Sequence, residues 1–367
     1  MPTIQQVTKY LEEFAPRVYQ ESYDNSGLIV GDPSAEVTGI IVSLDAIESV
    51  IDEAIAKKCN LVVAHHPIVF KGLRKLNGRN YVERTVIKAI KNDIGIYAIH
   101  TNLDNVAGGV NFKIAEKLGL ENVKVLAPKK QNQMKLTVFV PKENTQAVLN
   151  ALGKAGAGKI GNYEYCSFRT EGTGTFRGNE AANPAVGAKE QLEEVSEDRI
   201  EVIFPAYLEG KVMQALRQTH PYEEIAYYLH ALENTNTQVG SGAIGSLTEP
   251  LSGEAFLKYL KERMDLQCIR HTKLLDKEIK KVAVCGGTGS FLLPKAMGKG
   301  ADVFITADYK YHEFFDADGK ILIADIGHYE SEQYTSELLR DYLTPNFEGL
   351  PISITDSSTN PINYFVK

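Results

Sequence analysis

The sequence has no CxxC pair, no excess of basic residues and no apolar run long enough to cross a bilayer. Its four cysteines, Cys59, Cys166, Cys268 and Cys285, are widely spaced. That spacing argues against a disulfide framework and for a reducing compartment. All four are read as structural thiols, because free cysteine packs as a small hydrophobe. With 40 Lys+Arg against 47 Asp+Glu, the net charge is -7. A global basic footprint for nucleic acid is therefore absent. The N-terminal stretch lacks the basic and apolar regions of a secretory signal. Without a membrane span, the expected location is the cytoplasm. Sustained repeats and low-complexity tracts are also missing.

What remains is an ordinary globular composition, 43% hydrophobic and 24% charged over 367 residues. The length suggests about two to three domains. Ile4, Val7, Leu11 and Phe14 recur at helical spacing and predict an amphipathic helix. Strand-like runs at 38–45, 60–66 and 95–100 alternate with helical patterns, as in βαβ units around a largely parallel sheet. From Met134 the order changes to strand, helix, a glycine-rich hairpin-like excursion near 171–184, strand, helix, strand. This order fits a split βαβ, ferredoxin-like module. The polar stretch 183–198 reads as a loop. From about Gly240 the α/β alternation returns. The expected fold is thus a discontinuous mixed-sheet α/β core, 1–128 and 241–367, with an inserted ferredoxin-like α+β domain at 129–240.

Chemistry concentrates at the ends of the strand-like runs. His65 and His66 close LVVAHHP, where Pro67 favours an end to the strand. His100 and Asp104 lie in HTNLD, and Asp104 is either a metal ligand, bridging two ions, or a helix N-cap. His328 and Glu332 stand four apart in HYESE, on one face if that stretch is helical. Four imidazoles and two carboxylates exceed what one zinc-like ion takes from protein. They suit two neighbouring divalent ions bridged by a carboxylate. These donors fit zinc, the first expectation, and also iron, manganese or nickel. Asp45 is either a partner that fixes a histidine tautomer or a turn residue. Asp308 and His312 read as substrate-facing or acid/base groups, and Glu330 joins His312 as a proton-shuttle candidate. Gly286, Gly287 and Gly289 form a turn that could cradle an anion through backbone amides or be a plain tight turn. GSGAIG at 240–245 matches a dinucleotide fingerprint in letters only. The required helix does not follow it.

Taken together, NSGLIVG (25–31), AHHP (64–67), HTNLD (100–104), GGTGS (286–290), DYKYH (308–312) and GHYESE (327–332) resemble the GTP cyclohydrolase I type 2 homologue family, also called Nif-three-like proteins. HPYEE at 220–224 is similar to the PII-like insert of longer bacterial members. The resemblance implies that His65, His66, His100, Asp104, His328 and Glu332 ligate a dinuclear metal centre. It also implies a ring-shaped homohexamer with the metals facing an internal cavity. Two functions follow as expectations. One is a metal-dependent hydrolase of the GTP cyclohydrolase type, acting on a nucleotide-like or phosphorylated anion. The other is a non-catalytic metal-binding or regulatory assembly that docks a protein partner through the insert.

Overall fold

The computed structural model describes residues 1–130 and 132–365. The chain forms two compact units, one from Met1–Pro128 and the chain from Thr237 onward, the other Lys129–Asn236. The first unit is mixed α/β and holds two sheets. In its five-stranded sheet, Ile40–Asp45, Leu61–His66 and Gly95–Ala98 run parallel. Ile352–Ile354 adds a parallel edge and Gly27–Val30 an antiparallel one. The six-stranded sheet is built around Ile279–Thr288, Val303–Ala307 and Leu322–Asp325, again parallel. The long strand Asn236–Leu251 lies antiparallel beside Ile279–Thr288. The GSGAIG letters fall inside this strand, so no nucleotide-binding turn forms there.

The central strands are buried along almost their whole length, Val303–Ala307 completely so. Continuous Val/Ile-rich runs are what parallel strands covered on both faces require. One core cluster draws on both sheets and on the helices Ile4–Phe14, Val110–Lys117, Gly253–Arg263 and Thr335–Leu343. The first of these helices is fixed by a capping box, Thr3 with Gln6, and buries Ile4, Val7 and Leu11. That is the amphipathic stripe expected from the sequence. Separate clusters cover the outer face of each sheet. Among the described residues, no helix is long and apolar enough to cross a membrane.

The second unit follows the order strand Gln133–Pro141, helix Thr145–Lys154, strands Phe168–Arg177 and Leu192–Pro205, helix Glu209–Thr219, strand Tyr227–Leu232. Its sheet is antiparallel, with Leu192–Pro205 between Phe168–Arg177 and Gln133–Pro141. This is the ferredoxin-like arrangement. Leu136, Val138, Val140, Ile200, Val202 and Phe204 alternate onto the face packed by Val148, Leu152, Val212 and Leu216 of the two helices. The loop expected over 183–198 is shorter than the sequence suggested. Leu192–Asp198 extends the third strand and pairs residue by residue with Glu171–Arg177. Cross-strand pairing gives those polar side chains a place in an exposed sheet, which burial periodicity alone does not reveal.

Candidate metal centre

The parallel strands Ile40–Asp45 and Leu61–His66 end side by side, with Asp45 in register with His66. Polar residues at this carboxyl edge meet because strand ends in an open α/β sheet converge. His65 and His66 close their strand just before Pro67, with ring centroids 4.9 Å apart. His100 follows the neighbouring strand Gly95–Ala98 and leads into the short helix Thr101–Asp104. Asp104 ends that helix, so it is not its N-cap. His328 starts the helix His328–Glu332 after Gly327, which has φ 93°. That helix follows Leu322–Asp325 and sets His328 and Glu332 on one face.

All six side chains come together. Glu332 Oε2 lies 3.0 Å from His66 Nε2, 3.2 Å from His328 Nε2 and 3.9 Å from His65 Nε2. Asp104 Oδ1 is 3.7 Å from His65 Nε2. Donor atoms of three overlapping groups lie within 4.8 Å of one another: His65/His66/His100, His66/His328/Glu332 and His65/Asp104/Glu332. Each imidazole is held by its other nitrogen. His65 Nδ1 is 2.8 Å from the Ile99 carbonyl, and His66 Nδ1 is 2.8 Å from Asp45. His100 Nδ1 is 2.7 Å from Asp24, and His328 Nδ1 is 2.6 Å from Asp308. An acceptor on Nδ1 selects the tautomer whose Nε2 lone pair faces the centre, the arrangement that metal-binding histidines show.

Four of these groups have displaced pKa values. Burial lowers the His65 pKa to about 3 against the pull of Glu332, so this imidazole is neutral. Burial and the charge of Glu332 raise Asp104 well above the ordinary carboxylate range. Burial opposes the charge on His66, but hydrogen bonds to Asp45 and Glu332 outweigh it and lift its pKa to about 10. The same balance, with Glu332 and Asp308, lifts His328 to about 9. His65 Nε2 and Asp104 Oδ1 are buried without a hydrogen-bond partner. Orphaned buried polar atoms cost about 1–3 kcal/mol each, and a divalent cation would satisfy both. The donor set therefore fits metal.

Several expectations need correction. His312 is exposed on the 3-10 helix Tyr311–Ala317, against the rings of Tyr311 and Phe315, and does not line the cavity at the centre. Glu330 is buried, with its carboxylate toward Gly327, Asn360 and Tyr364 rather than the cavity. Neither lines that cavity. At the turn Gly286, Gly287 and Gly289, the first two amides are already engaged and not free for an anion. Gly286 N donates to Asn111 Oδ1 and Gly287 N to Ser331 Oγ, both at 2.9 Å. A Cβ on Gly289 would lie 2.5 Å from Thr306 Oγ1 and 2.6 Å from Cys285 Cβ, so that position packs inward. Asp308 is separated from His312 and instead orients His328. Cys268 is exposed, unlike buried Cys59 and Cys285.

Sequence reasoning missed Asp24. It lies in a loop, one residue before the NSGLIVG stretch, where no strand end draws attention to it. Its side chain is fully buried and accepts from His100 Nδ1, from Thr101 N at 3.0 Å, from the Thr101 hydroxyl and from Ser26 Oγ. Despite burial, the bonds from His100 and Thr101 hold its pKa well below the usual range. Asp24→Asn places an amide NH2 among the His100 and Thr101 donors that the carboxylate now accepts. Metal affinity should fall about 10–100-fold with the fold retained. Competition of the variant and the parent against a chelator of known affinity measures this.

A family profile for Duf34/NIF3 (NGG1p interacting factor 3) matches residues 2–361. The chain is 39% identical over 366 residues to a Bacillus subtilis protein named GTP cyclohydrolase 1 type 2 homolog, covering 98% of each. It is 43% identical over 327 residues to one of the same name from Halalkalibacterium halodurans, covering 88% of each. The crystal structure of a Bacillus cereus protein related to NIF3 superposes with a TM-score of 0.88 at 38% identity, covering 99% of both chains. By the length of these matches, the chain belongs to the Duf34/NIF3 family.

Proposed function

We propose that the protein is a metal-dependent hydrolase with a dinuclear centre held by His65, His66, His100, Asp104, His328 and Glu332. The observation that carries this reading is the convergence of six donors with two buried donor atoms, His65 Nε2 and Asp104 Oδ1, left without partners. Two divalent ions, zinc first and iron, manganese or nickel otherwise, would supply Lewis acidity and lower the pKa of water at the centre. The chain's own part is positional. Asp24, Asp45, Asp308 and the Ile99 carbonyl hold the four rings in one tautomer. Thr359 Oγ1 donates to the second oxygen of Asp45 and so fixes that orienting group in turn.

The centre opens into a cavity of about 1230 Å³ in the first unit. Tyr23, Phe70 and Phe291 stand exposed in its lining, with the Tyr23 and Phe70 rings 6.3 Å apart. Aromatic faces beside a cation centre suit a molecule with a flat ring and an anionic group, as a nucleotide has. The name carried by the relatives adds GTP to the substrates worth testing. The same proposal includes a homohexameric assembly and a PII-like role for the second unit. The test is turnover by metal-loaded protein on GTP and a panel of phosphoesters. We expect hydrolysis of at least one, abolished in His65→Ala. Activity that survives in that variant, or no turnover with metal bound, refutes the reading.

A further inference from the structure

The second unit has a cavity of its own, about 1130 Å³. Its helices cover only one face of the sheet. On the other face, residues 178–185 contribute to the walls, and Asn183 N donates to Glu223 Oε1 at 2.7 Å to tie this segment down. Glu197 lines the cavity and is only 7% exposed. Among the described residues it forms no ion pair, and the two arginines that line the cavity are paired elsewhere. Arg199 pairs with Glu201 at 2.6 Å and Arg177 with Glu190 at 3.2 Å. A buried carboxylate without a cation is a costly arrangement.

The surroundings of Glu197 are specific. A Cβ on Gly174 would stand 2.2 Å from Glu197 Oε2, so a glycine there leaves the volume the carboxylate occupies. The Tyr222 hydroxyl is buried against Glu197, its pKa raised by burial and then by a hydrogen bond to that carboxylate and by its charge. Two aromatic pairs line the same space: Phe139 with Tyr228, centroids 5.8 Å apart, and Phe176 with Tyr222, 6.0 Å apart. Aromatic faces and a carboxylate together are the recognition chemistry of an organic cation.

We propose that this cavity binds a small organic ammonium ion, its charge met by Glu197 and its alkyl groups by the rings of Phe139, Phe176, Tyr222 and Tyr228. The Tyr222 hydroxyl beside Glu197 would accept from a polar group on the same molecule. The site is independent of the metal centre and of any hydrolysis there.

Titration calorimetry on the full chain tests it with choline and its uncharged isostere 3,3-dimethylbutan-1-ol. Choline should bind saturably and the alcohol at least tenfold more weakly. Glu197→Gln keeps the side chain's shape and should weaken choline at least tenfold. Tyr228→Ser, at a more exposed ring, should weaken it by a smaller factor. Equal binding of the two probes, unchanged binding in Glu197→Gln, or no binding of choline to the parent overturns the proposal. Circular dichroism melts of both variants establish that a loss is not unfolding.

Discussion

Replacing Glu332 with glutamine should cost the protein its metal, with affinity falling about 100-fold or more, beyond the 10–100-fold that orienting partners are worth. The substitution keeps size and removes charge. Among the described residues, Glu332 is the one carboxylate whose oxygen approaches three imidazole nitrogens, those of His66, His328 and His65. It is itself buried, yet hydrogen bonds from His328 and His66 keep it ionised well below the ordinary range. Protons give the same experiment a second readout. His66 and His328, with pKa values raised to about 10 and about 9, carry protons at pH 7 when no metal is bound. Metal must displace them, so affinity rises as pH rises from 6 toward 9 and falls as pH falls. Glu332→Gln removes a carboxylate that raises both values. Fewer protons should then be released at pH 7 even as affinity drops. Calorimetry in two buffers of different ionisation enthalpy reads affinity and proton release together. Parent-like metal binding by the variant, or no proton release by the parent, would count against the assigned ligand set.

The positions that converge at the candidate centre were legible because they lie where buried strands give way to polar residues. His65 and His66 follow LVVA, and His328 follows the strand Leu322–Asp325 after two intervening residues. Period and flanking proline are local signals, and local signals survive in a sequence. The partners that orient the rings were legible only in part. Asp45 ends a strand and was visible as one of two alternatives. Asp24 and Thr359 were not, since they reach the centre from loops whose course depends on the tertiary fold. Asp308 was misassigned for a related reason. Its spacing to His312 suggested a shared helical face, but Asp308 has φ 54° and the chain turns there before the 3-10 helix begins. In the second unit, the core strands with alternating apolar residues were plain. The outer pair, Phe168–Arg177 with the first half of Leu192–Pro205, is exposed and polar, and its pairing is a nonlocal property.

Gly287→Ala should leave a folded protein that binds metal at least about tenfold more weakly, because the new methyl group competes for space with a ligand rather than with the core. Gly287 has φ +59°, a left-handed conformation that costs an L-residue about 1–2 kcal/mol. A Cβ there would lie 2.6 Å from Glu332 Oε1 and 3.3 Å from His328 Cε1. The backbone cannot move away easily. Gly287 N donates to Ser331 Oγ, and the Gly287 carbonyl accepts from Thr306 Oγ1 at 3.1 Å. The carboxylate of Glu332 must therefore give way, and with it the distances to His66 and His328. Glycine at this place is thus explained by clearance for Glu332, not by amides free to hold an anion. Backbone strain alone would lower the melting temperature by about 2–4 °C per kcal/mol and leave metal affinity intact. Gly300→Ala separates the two effects: Gly300 has φ +71° with nothing within 4 Å of its Cβ position, so its substitution should lower the melting temperature and leave metal affinity unchanged. If Gly287→Ala melts earlier but titrates with metal like the parent, then Glu332 has room to spare and the centre is looser than its distances imply.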